Sequence, residues 1–211
     1  MPQYFDNIPD LKSKPRTVSF EILGEKLSFT SDFGVFSKNQ IDEGTQALLK
    51  VLLPFRPFGK TLDLGCGYGA LGLTLAHFSP DDEFVLADIN ERALVLAQEN
   101  SKRLHLENVT CLASNIYENI HGLFHSIVIN PPIRAGKAVI YEMFRGAYDH
   151  LTNDGSLYIV IRKSHGAHSA SAYIESVFGN CSLLKKEKGY YIYEAKKRTK
   201  ENERGAIYEQ Q

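Results

Sequence analysis

An asparagine followed by two prolines is the segment whose residue types point most directly to chemistry. Asn130, Pro131 and Pro132 come directly after an apolar run that ends at Ile129. Proline fixes its backbone angle and has no N–H to donate, so we expect the backbone carbonyls here to face a ligand. With the side-chain carbonyl of Asn130 they would form a rigid set of acceptors for a planar exocyclic NH2 group. Such a set would aim the nitrogen lone pair at an electrophilic group bound beside it. A turn that only ends a strand is the alternative.

A glycine-rich segment at residues 63–69 is the second candidate ligand site. Its glycines let the backbone turn tightly and let a ligand lie close to it. Together with Gly72 the segment satisfies the dinucleotide fingerprint G-x-G-x-x-G, so a nicotinamide-linked oxidoreductase is one interpretation. Asp63 argues against it, because a carboxylate just before the loop would repel a pyrophosphate. It would suit a cationic ligand without phosphate, such as S-adenosylmethionine, which carries an ammonium and a sulfonium.

Asp88 closes the next predicted strand and is a candidate for binding a ribose. Its carboxylate could accept both hydrogen bonds of a ribose diol. Capping the following helix is the alternative role, although Asn90 already suits that position. The acid therefore fits a cofactor that carries a ribose.

Alternating strands and helices would bring these segments to one edge of a sheet. The predicted strands span residues 61–64, 83–87, 109–113, 126–129 and 156–161, and the predicted helices span 41–53, 70–78, 91–106, 137–151 and 167–178. This alternation predicts an α/β fold with a doubly wound, mostly parallel sheet and helices on both faces. An antiparallel hairpin (182–187 and 190–195) completes seven strands. A short hairpin (18–22 and 27–29) precedes the sheet. Ligands bind beyond the carboxyl ends of such strands.

The sequence DLGCG at residues 63–67 resembles the first motif of the class I S-adenosylmethionine-dependent methyltransferases. The Asn-Pro-Pro segment resembles the N-P-P-[aromatic] motif of enzymes that methylate adenine, guanine or glutamine amide nitrogen. Ile133 departs from that motif, because it cannot stack on a base as an aromatic ring would. Phe33 and Phe36 are the candidates for that role.

A narrower resemblance lies upstream, in GVFS at residues 34–37 and IDEGT at residues 41–45. Both are similar to a segment of the ribosomal RNA small-subunit methyltransferase C group, which methylates the exocyclic amine of a guanine. The stretch RAGK at residues 134–137 is similar as well. Familiar members of that group carry a further methyltransferase-like domain ahead of this one, and 211 residues are expected to leave no room for it.

The resemblance implies a role for each matching residue. Catalytic roles fall to Asn130, Pro131 and Pro132, and cofactor-binding roles to Asp63, Gly65, Cys66, Gly67, Asp88, Ile89, Asn115 and Asn130. Asn115 would meet the adenine amino group, with a local Asx turn as the alternative. Substrate contacts are expected from Phe36, Lys38, Ile133, Arg134, Lys137, Arg162 and Lys163. The five cations among them could contact phosphates, or could form an ordinary solvated rim.

Composition limits the remaining possibilities. A net charge of −1, from 24 basic and 25 acidic residues, excludes a uniformly basic nucleic-acid coat. No apolar run approaches a membrane span, no secretory signal is expected, and three scattered cysteines are typical of a cytoplasmic protein. His165 and His168 lack a third ligand, so we expect no metal. The expected organisation is a hairpin and lid-like extension (1–40), a methyltransferase domain (41–196) and a polar tail (197–211).

The sequence thus predicts methyl transfer from S-adenosylmethionine to an exocyclic amine, most specifically guanine N2 of small-subunit ribosomal RNA. Two alternatives remain open at this stage. One is a methyltransferase acting on a protein glutamine amide, which uses a similar Asn-Pro-Pro segment. The other is a non-catalytic module that binds RNA. The expected partner in the leading interpretation is ribosomal RNA or a ribosomal subunit.

Overall fold

The computed structural model describes residues 14–32, 40–56 and 58–198. Within these ranges the strands are β1 (Arg16–Ile22), β2 (Glu25–Ser31), β3 (Thr61–Leu64), β4 (Phe84–Asp88), β5 (Val109–Ala113), β6 (Phe124–Ile129), β7 (Leu151–Arg162), β8 (Ser182–Glu187) and β9 (Tyr190–Lys196). The α-helices are α1 (Glu43–Leu52), α2 (Ala70–His77), α3 (Glu91–Arg103), α4 (Lys137–His150) and α5 (Ala167–Phe178). None of the helices in these ranges is long and apolar enough to cross a membrane.

Seven strands form one sheet in the order β5-β4-β3-β6-β7-β9-β8. Strands β3 to β7 are parallel, and β9 and β8 are antiparallel to their neighbours. The predicted fold class is confirmed. The chain winds outward from β3 in one direction and from β6 in the other, so the switch point where ligands bind lies between these two strands.

The two faces of the sheet bury separate apolar clusters, because alternate strand residues point to opposite sides. One cluster packs α1, α2 and α3 against the sheet through residues such as Leu48, Leu73 and Leu94. The other packs α4 and α5 through Phe144 and Ile174. Two covered faces explain why every residue of β3, and every residue of β6 except one, is buried.

The predicted N-terminal hairpin is present as β1 and β2, which pair only with each other. Its Phe29 is fully buried in the cluster that contains α3. Asn100 of α3 fixes the hairpin by accepting from the Thr30 N–H at 2.7 Å and donating to the Thr30 carbonyl at 3.0 Å. The same amide donates to the carbonyl of Tyr68 in the glycine loop at 3.0 Å. The hairpin is therefore tied to the loop expected to bind the cofactor.

Strand β7 is longer than the sequence predicted. Leu151 was expected to end a helix, yet it begins β7 and pairs with Phe124 of β6. The polar residues that follow are typical of a loop, but Asp154 donates its N–H to the Lys197 carbonyl at 2.8 Å with a left-handed φ of 62°. A backbone irregularity in the pairing with β6 accommodates them. Hydrogen bonding to neighbouring segments of the same chain thus determined the structure here, although the local composition favours a loop.

Candidate active site

The glycine loop connects β3 to α2 and folds back onto the end of β4. Gly65, Gly67 and Gly69 have φ angles of 77°, 57° and 90°, which residues with a side chain rarely adopt. The N–H groups of Gly65 and Cys66 both donate to the Ala87 carbonyl, at 2.8 and 3.0 Å. Burial raises the pKa of the Cys66 thiol well above its ordinary value, so this cysteine is a packing residue rather than a nucleophile.

A cleft of about 180 Å³ opens beside this loop at the carboxyl ends of the strands. It is lined by Leu64, Gly65, Ala87, Asp88, Ile89, Ser114, Asn115, Ile116, Pro132, Ala135, Val139 and Met143. Four of the residues expected to bind the cofactor lie in this lining, namely Gly65, Asp88, Ile89 and Asn115, together with Pro132, which was expected to be catalytic. The cleft therefore brings together residues that follow β3, β4, β5 and β6.

Asp88 organises the backbone around the cleft. Its Oδ2 accepts from the Gly67 N–H and its Oδ1 from the Asn90 N–H, both at 2.8 Å. Asn90 is the residue that caps α3, by accepting from the N–H groups of Arg92 and Ala93. The capping role considered as an alternative for Asp88 therefore belongs to Asn90, and Asp88 reaches both the glycine loop and the cleft.

Asp63 lies beneath the loop and is only 1% exposed. Its Oδ2 accepts from the Gly72 N–H in α2 at 2.8 Å. Gly72 is required here by close approach, because a Cβ would lie 2.8 Å from that oxygen. Burial raises the pKa of Asp63 to about 7, with a further contribution from the charge of Asp88 and an opposing one from the Gly72 bond. Asp63 therefore does not line the cleft, and its carboxyl group carries a full negative charge only above about pH 7.

Asn115 is exposed at the rim of the cleft. The local turn that was its alternative role depends instead on Ser114, whose hydroxyl donates to the Ile116 carbonyl at 2.9 Å and accepts from the Asn119 N–H at 3.1 Å. Ile116 takes a left-handed φ of 51° in this turn. The arrangement leaves the Asn115 amide beside the cleft, where a ligand could reach it.

Asn130 directly follows β6, and its side chain is held by the start of α1. The Nδ2 group donates to Asp42 Oδ2 and to Thr45 Oγ1, each at 2.9 Å. Asp42 is the N-cap of α1 and also accepts from the Thr45 N–H at 3.0 Å. This explains why α1 begins at Glu43 rather than at residue 41, as the sequence predicted.

The two prolines are not equivalent, which corrects the expectation that both carbonyls face a ligand. The Pro132 carbonyl accepts from the Ala135 N–H at 2.8 Å, closing a 3₁₀ turn at Ile133–Ala135. The Pro132 carbonyl is therefore used within the turn, and Asn130 Oδ1 and the Pro131 carbonyl remain the candidate acceptors. Pro132 contributes to the wall of the cleft, and Ile133 packs partly buried against the cluster under α4.

Four of the five predicted cations lie exposed at the same edge of the sheet: Arg134, Lys137, Arg162 and Lys163. Lys137 Nζ lies 4.9 Å from the centroid of the Tyr141 ring, and Arg162 Cζ lies 5.3 Å from that of Tyr190. Such stacking holds the long side chains while leaving their charges in solvent. Lys38 and Phe36 lie outside the described residues, as does Phe33.

A model of the methyltransferase small domain family matches residues 26–194. The chain belongs to this family. A Bacillus subtilis relative named YbxB is 41% identical over 196 residues, which cover 92% of this chain and 98% of that protein. Ribosomal RNA small subunit methyltransferase C of Erwinia tasmaniensis is 35% identical over 171 residues, covering 78% of this chain and 48% of the relative. The resemblance to that group is confirmed, and this chain spans about half the length of its members.

A solved structure agrees with this family membership. The 16S rRNA N2 methyltransferase of T. thermophilus, in complex with AdoMet and guanosine, matches with a TM-score of 0.79 at 29% identity. The match covers 90% of this chain and 52% of that one.

Sequence reasoning missed one wall of the cleft and the residues that hold Asn130. Val139 and Met143 of α4 line the cleft, but apolar helix residues give no signal that separates them from core. Asp42 and Thr45 belonged to a recognised segment, yet nothing local indicated that they contact Asn130. In the part of the chain that the structure describes, no group of three His, Cys, Asp or Glu side chains is placed to hold a metal. His168 instead packs edge-on against Tyr191.

Proposed function

We propose that this chain transfers a methyl group from S-adenosylmethionine to the N2 amine of a guanine in small-subunit ribosomal RNA. The observation that carries the proposal is the orientation of the Asn130 amide directly after β6. Both N–H groups of this amide are turned toward α1, and Asn130 and Pro131 directly precede Pro132, which lines the cleft. Asn130 Oδ1 and the Pro131 carbonyl would then be the acceptors for a substrate. A pair of acceptors without a donor selects an amine or amide NH2 group as its partner.

The cleft fits the chemistry of S-adenosylmethionine. Asp88 and Asn115 would hold the ribose and the adenine, and the backbone of Gly65 and Gly67 would pass close to the amino-acid part. Asp63, a buried carboxylate whose pKa is raised, is better satisfied when a cation lies nearby. Bound there, the cofactor supplies a methyl group already activated by a sulfonium. A phosphate-bearing cofactor would instead meet repulsion from these carboxylates.

The residues of the chain then have to orient the amine. An exocyclic amine is a weak nucleophile because its lone pair is delocalised into the ring. Two accepting oxygens fix both N–H bonds and favour a pyramidal nitrogen with its lone pair toward the cleft. No strong general base is needed, because the nitrogen can lose its proton to solvent after it gains the methyl group.

The exposed cations at the same edge support a polyanionic substrate. Arg134, Lys137, Arg162 and Lys163 are exposed at the end of β7 or in the segments that follow β6 and β7, where they could contact phosphates on either side of a target nucleotide. A relative at 35% identity is named for ribosomal RNA methylation, which supports an RNA substrate. Binding by four such contacts should weaken steeply as the salt concentration rises.

The test is transfer of labelled methyl groups onto small ribosomal subunits, and onto their naked RNA, from a strain that lacks this gene. Digestion to nucleosides should show N2-methylguanosine. Asn130→Ala should lower the rate by at least ~10²-fold, about 2.7 kcal/mol in the barrier, while the affinity for S-adenosylmethionine stays unchanged by calorimetry. Asn153→Ala is the matched control, since Asn153 is exposed near the start of β7, away from the cleft.

Three results would contradict the proposal. Absence of label in any RNA would remove the substrate, and label on protein glutamine would favour amide methylation instead. Salt-dependent RNA binding without any transfer would indicate a binding module. Loss of cofactor affinity in Asn130→Ala would make that residue a cofactor ligand rather than an orienting group.

A further inference from the structure

We infer that Asp42 and Thr45 lock the Asn130 amide in one of its two orientations, and so act as positioning residues for the acceptor amine. The inference rests on the proposed function for its catalytic consequence, but not for its geometry. Both residues belong to the first turn of α1 or its cap, 88 and 85 positions before Asn130 in the chain.

The orientation follows from what each atom can do. A carboxylate only accepts hydrogen bonds, so the group of Asn130 that faces Asp42 Oδ2 must be the NH2. The second N–H of that NH2 goes to Thr45 Oγ1 at the same distance of 2.9 Å. With both donors used, Oδ1 points away from α1. A flipped amide would set its oxygen against the carboxylate, which is repulsive, and would offer donors to an amine that needs acceptors.

Asp42 is itself held in place. Its Oδ2 also accepts from the Thr45 N–H at 3.0 Å, so one oxygen caps the helix and anchors Asn130 at the same time. Gly44 lies between this carboxylate and Tyr190: a Cβ on it would be 2.8 Å from Asp42 Oδ2 and 2.9 Å from Tyr190 Cε1. Burial, with the charge of Asp42, raises the pKa of Tyr190.

The arrangement also tunes the acceptor. Donation from an amide to a carboxylate is charge-assisted and polarises the amide, so that its oxygen becomes a stronger acceptor. That oxygen faces the nitrogen that gains positive charge during methyl transfer. Asp42 therefore acts on the amine through Asn130, without touching substrate or cofactor.

Asp42→Ser and Thr45→Val separate this role from helix capping. Serine caps a helix about as well as aspartate but is too short to reach Asn130. Thr45→Val keeps the shape of a buried side chain and removes the hydroxyl, and Thr45→Ser restores it. Glu43→Gln is the control, because it removes the charge of an exposed side chain in the same helix turn.

The first measurement needs no substrate. Nuclear magnetic resonance should show the side-chain NH2 protons of Asn130, identified by their loss in Asn130→Ala, exchanging slowly with solvent in the native protein. Asp42→Ser and Thr45→Val should accelerate this exchange by about 10-fold or more, while Thr45→Ser and Glu43→Gln leave it slow. Fast exchange in the native protein, or no acceleration in either variant, overturns the inference.

The second measurement is methyl transfer. Asp42→Ser and Thr45→Val should lower kcat by about 10-fold or more with the KM for S-adenosylmethionine unchanged, and Thr45→Ser should recover most of the rate. A merely structural role would lower the melting temperature and the cofactor affinity together, and that outcome would overturn the inference. Should the native protein methylate no RNA, the proposed function fails while the exchange measurement still decides the orientation.

Discussion

Replacing Asp63 with asparagine should change how the stability of this protein depends on pH. Asp63 is buried at the end of β3, and burial is the largest cause of its pKa of about 7, against an ordinary value of 3.8. Between these two values the folded protein holds a proton that the unfolded chain releases. The folded state therefore loses stability as the pH rises from about 4 to 7, and the loss is complete above that range.

The size of the effect follows from the shift. Each pH unit of difference is worth about 1.4 kcal/mol, so the native protein should lose on the order of 4 kcal/mol across this window through Asp63 alone. The asparagine side chain in the Asp63→Asn variant stays neutral at every pH, and its Oδ1 can still accept from the Gly72 N–H. This substitution should therefore flatten the dependence and exceed the native protein in stability near pH 8.

Urea denaturation at half-unit steps from pH 4.5 to 8 measures this directly, with the free energy of unfolding extrapolated to water. Asp81→Asn serves as the control, because Asp81 is exposed and its removal should leave the slope of the native protein. Equal slopes for Asp63→Asn and the native protein would refute the reasoning, since Asp63 would then titrate in its ordinary range.

The same carboxylate links cofactor binding to protons. A cationic ligand in the cleft stabilises the ionised form of Asp63, so binding should release a proton below pH 7 and tighten as the pH rises toward that value. Calorimetry of S-adenosylmethionine in buffers of different ionisation enthalpy measures the release. The Asp63→Asn variant should bind S-adenosylmethionine more weakly and release no proton on binding. This variant would therefore be more stable near pH 8 and yet have a lower affinity for the cofactor.

Three further changes test other parts of the site. Asp88→Ala should weaken S-adenosylmethionine binding by calorimetry about 10-fold or more, because the Gly67 N–H loses its charged partner; unchanged affinity would contradict that role. Asn100→Ala should cost about 2–4 kcal/mol in urea denaturation, since it leaves the buried carbonyl of Tyr68 and the partly buried backbone groups of Thr30 without their partner. A cost below about 1 kcal/mol would show that water replaces the amide. Gly146→Ala should lower the melting temperature despite the better helix propensity of alanine, because its Cβ would clash with the Tyr117 ring; a rise would mean that the ring moves freely.

The position of the candidate site could be predicted from the sequence, because the predicted fold brings its residues to one edge of the sheet. Asp88, Asn115 and Asn130 each follow a predicted strand, and parallel strands bring their carboxyl ends to one edge. Because the alternation of strands and helices was correctly predicted, these residues could be placed near one another despite their wide separation in the chain. The same logic fixed the glycine loop, whose left-handed angles only glycine adopts easily.

What the sequence could not supply was contact between distant side chains. The Asn130 amide takes its orientation from α1, and no local pattern couples residues 85 and 88 positions apart. The Pro132 carbonyl was expected to be available to a ligand, yet it accepts a hydrogen bond within a 3₁₀ turn. Such a bond depends on the backbone angles of the turn, which prolines allow but which the sequence does not reveal. Val139 and Met143 were invisible as site residues, since a helix face that lines a cleft has the same periodicity as one that lines a core.

The Asn100 amide has a consequence for the order in which the molecule assembles. It joins the carbonyl of Thr30, 70 positions earlier, to the glycine loop, 32 positions earlier. During synthesis on the ribosome, the β1–β2 hairpin would therefore have no surface to dock on until α3 had been synthesised. Contacts of such long range slow folding, because the loop must close before they form. Added S-adenosylmethionine, by ordering the glycine loop, should then protect the backbone of β2 from hydrogen exchange, although β2 contributes nothing to the lining of the cleft.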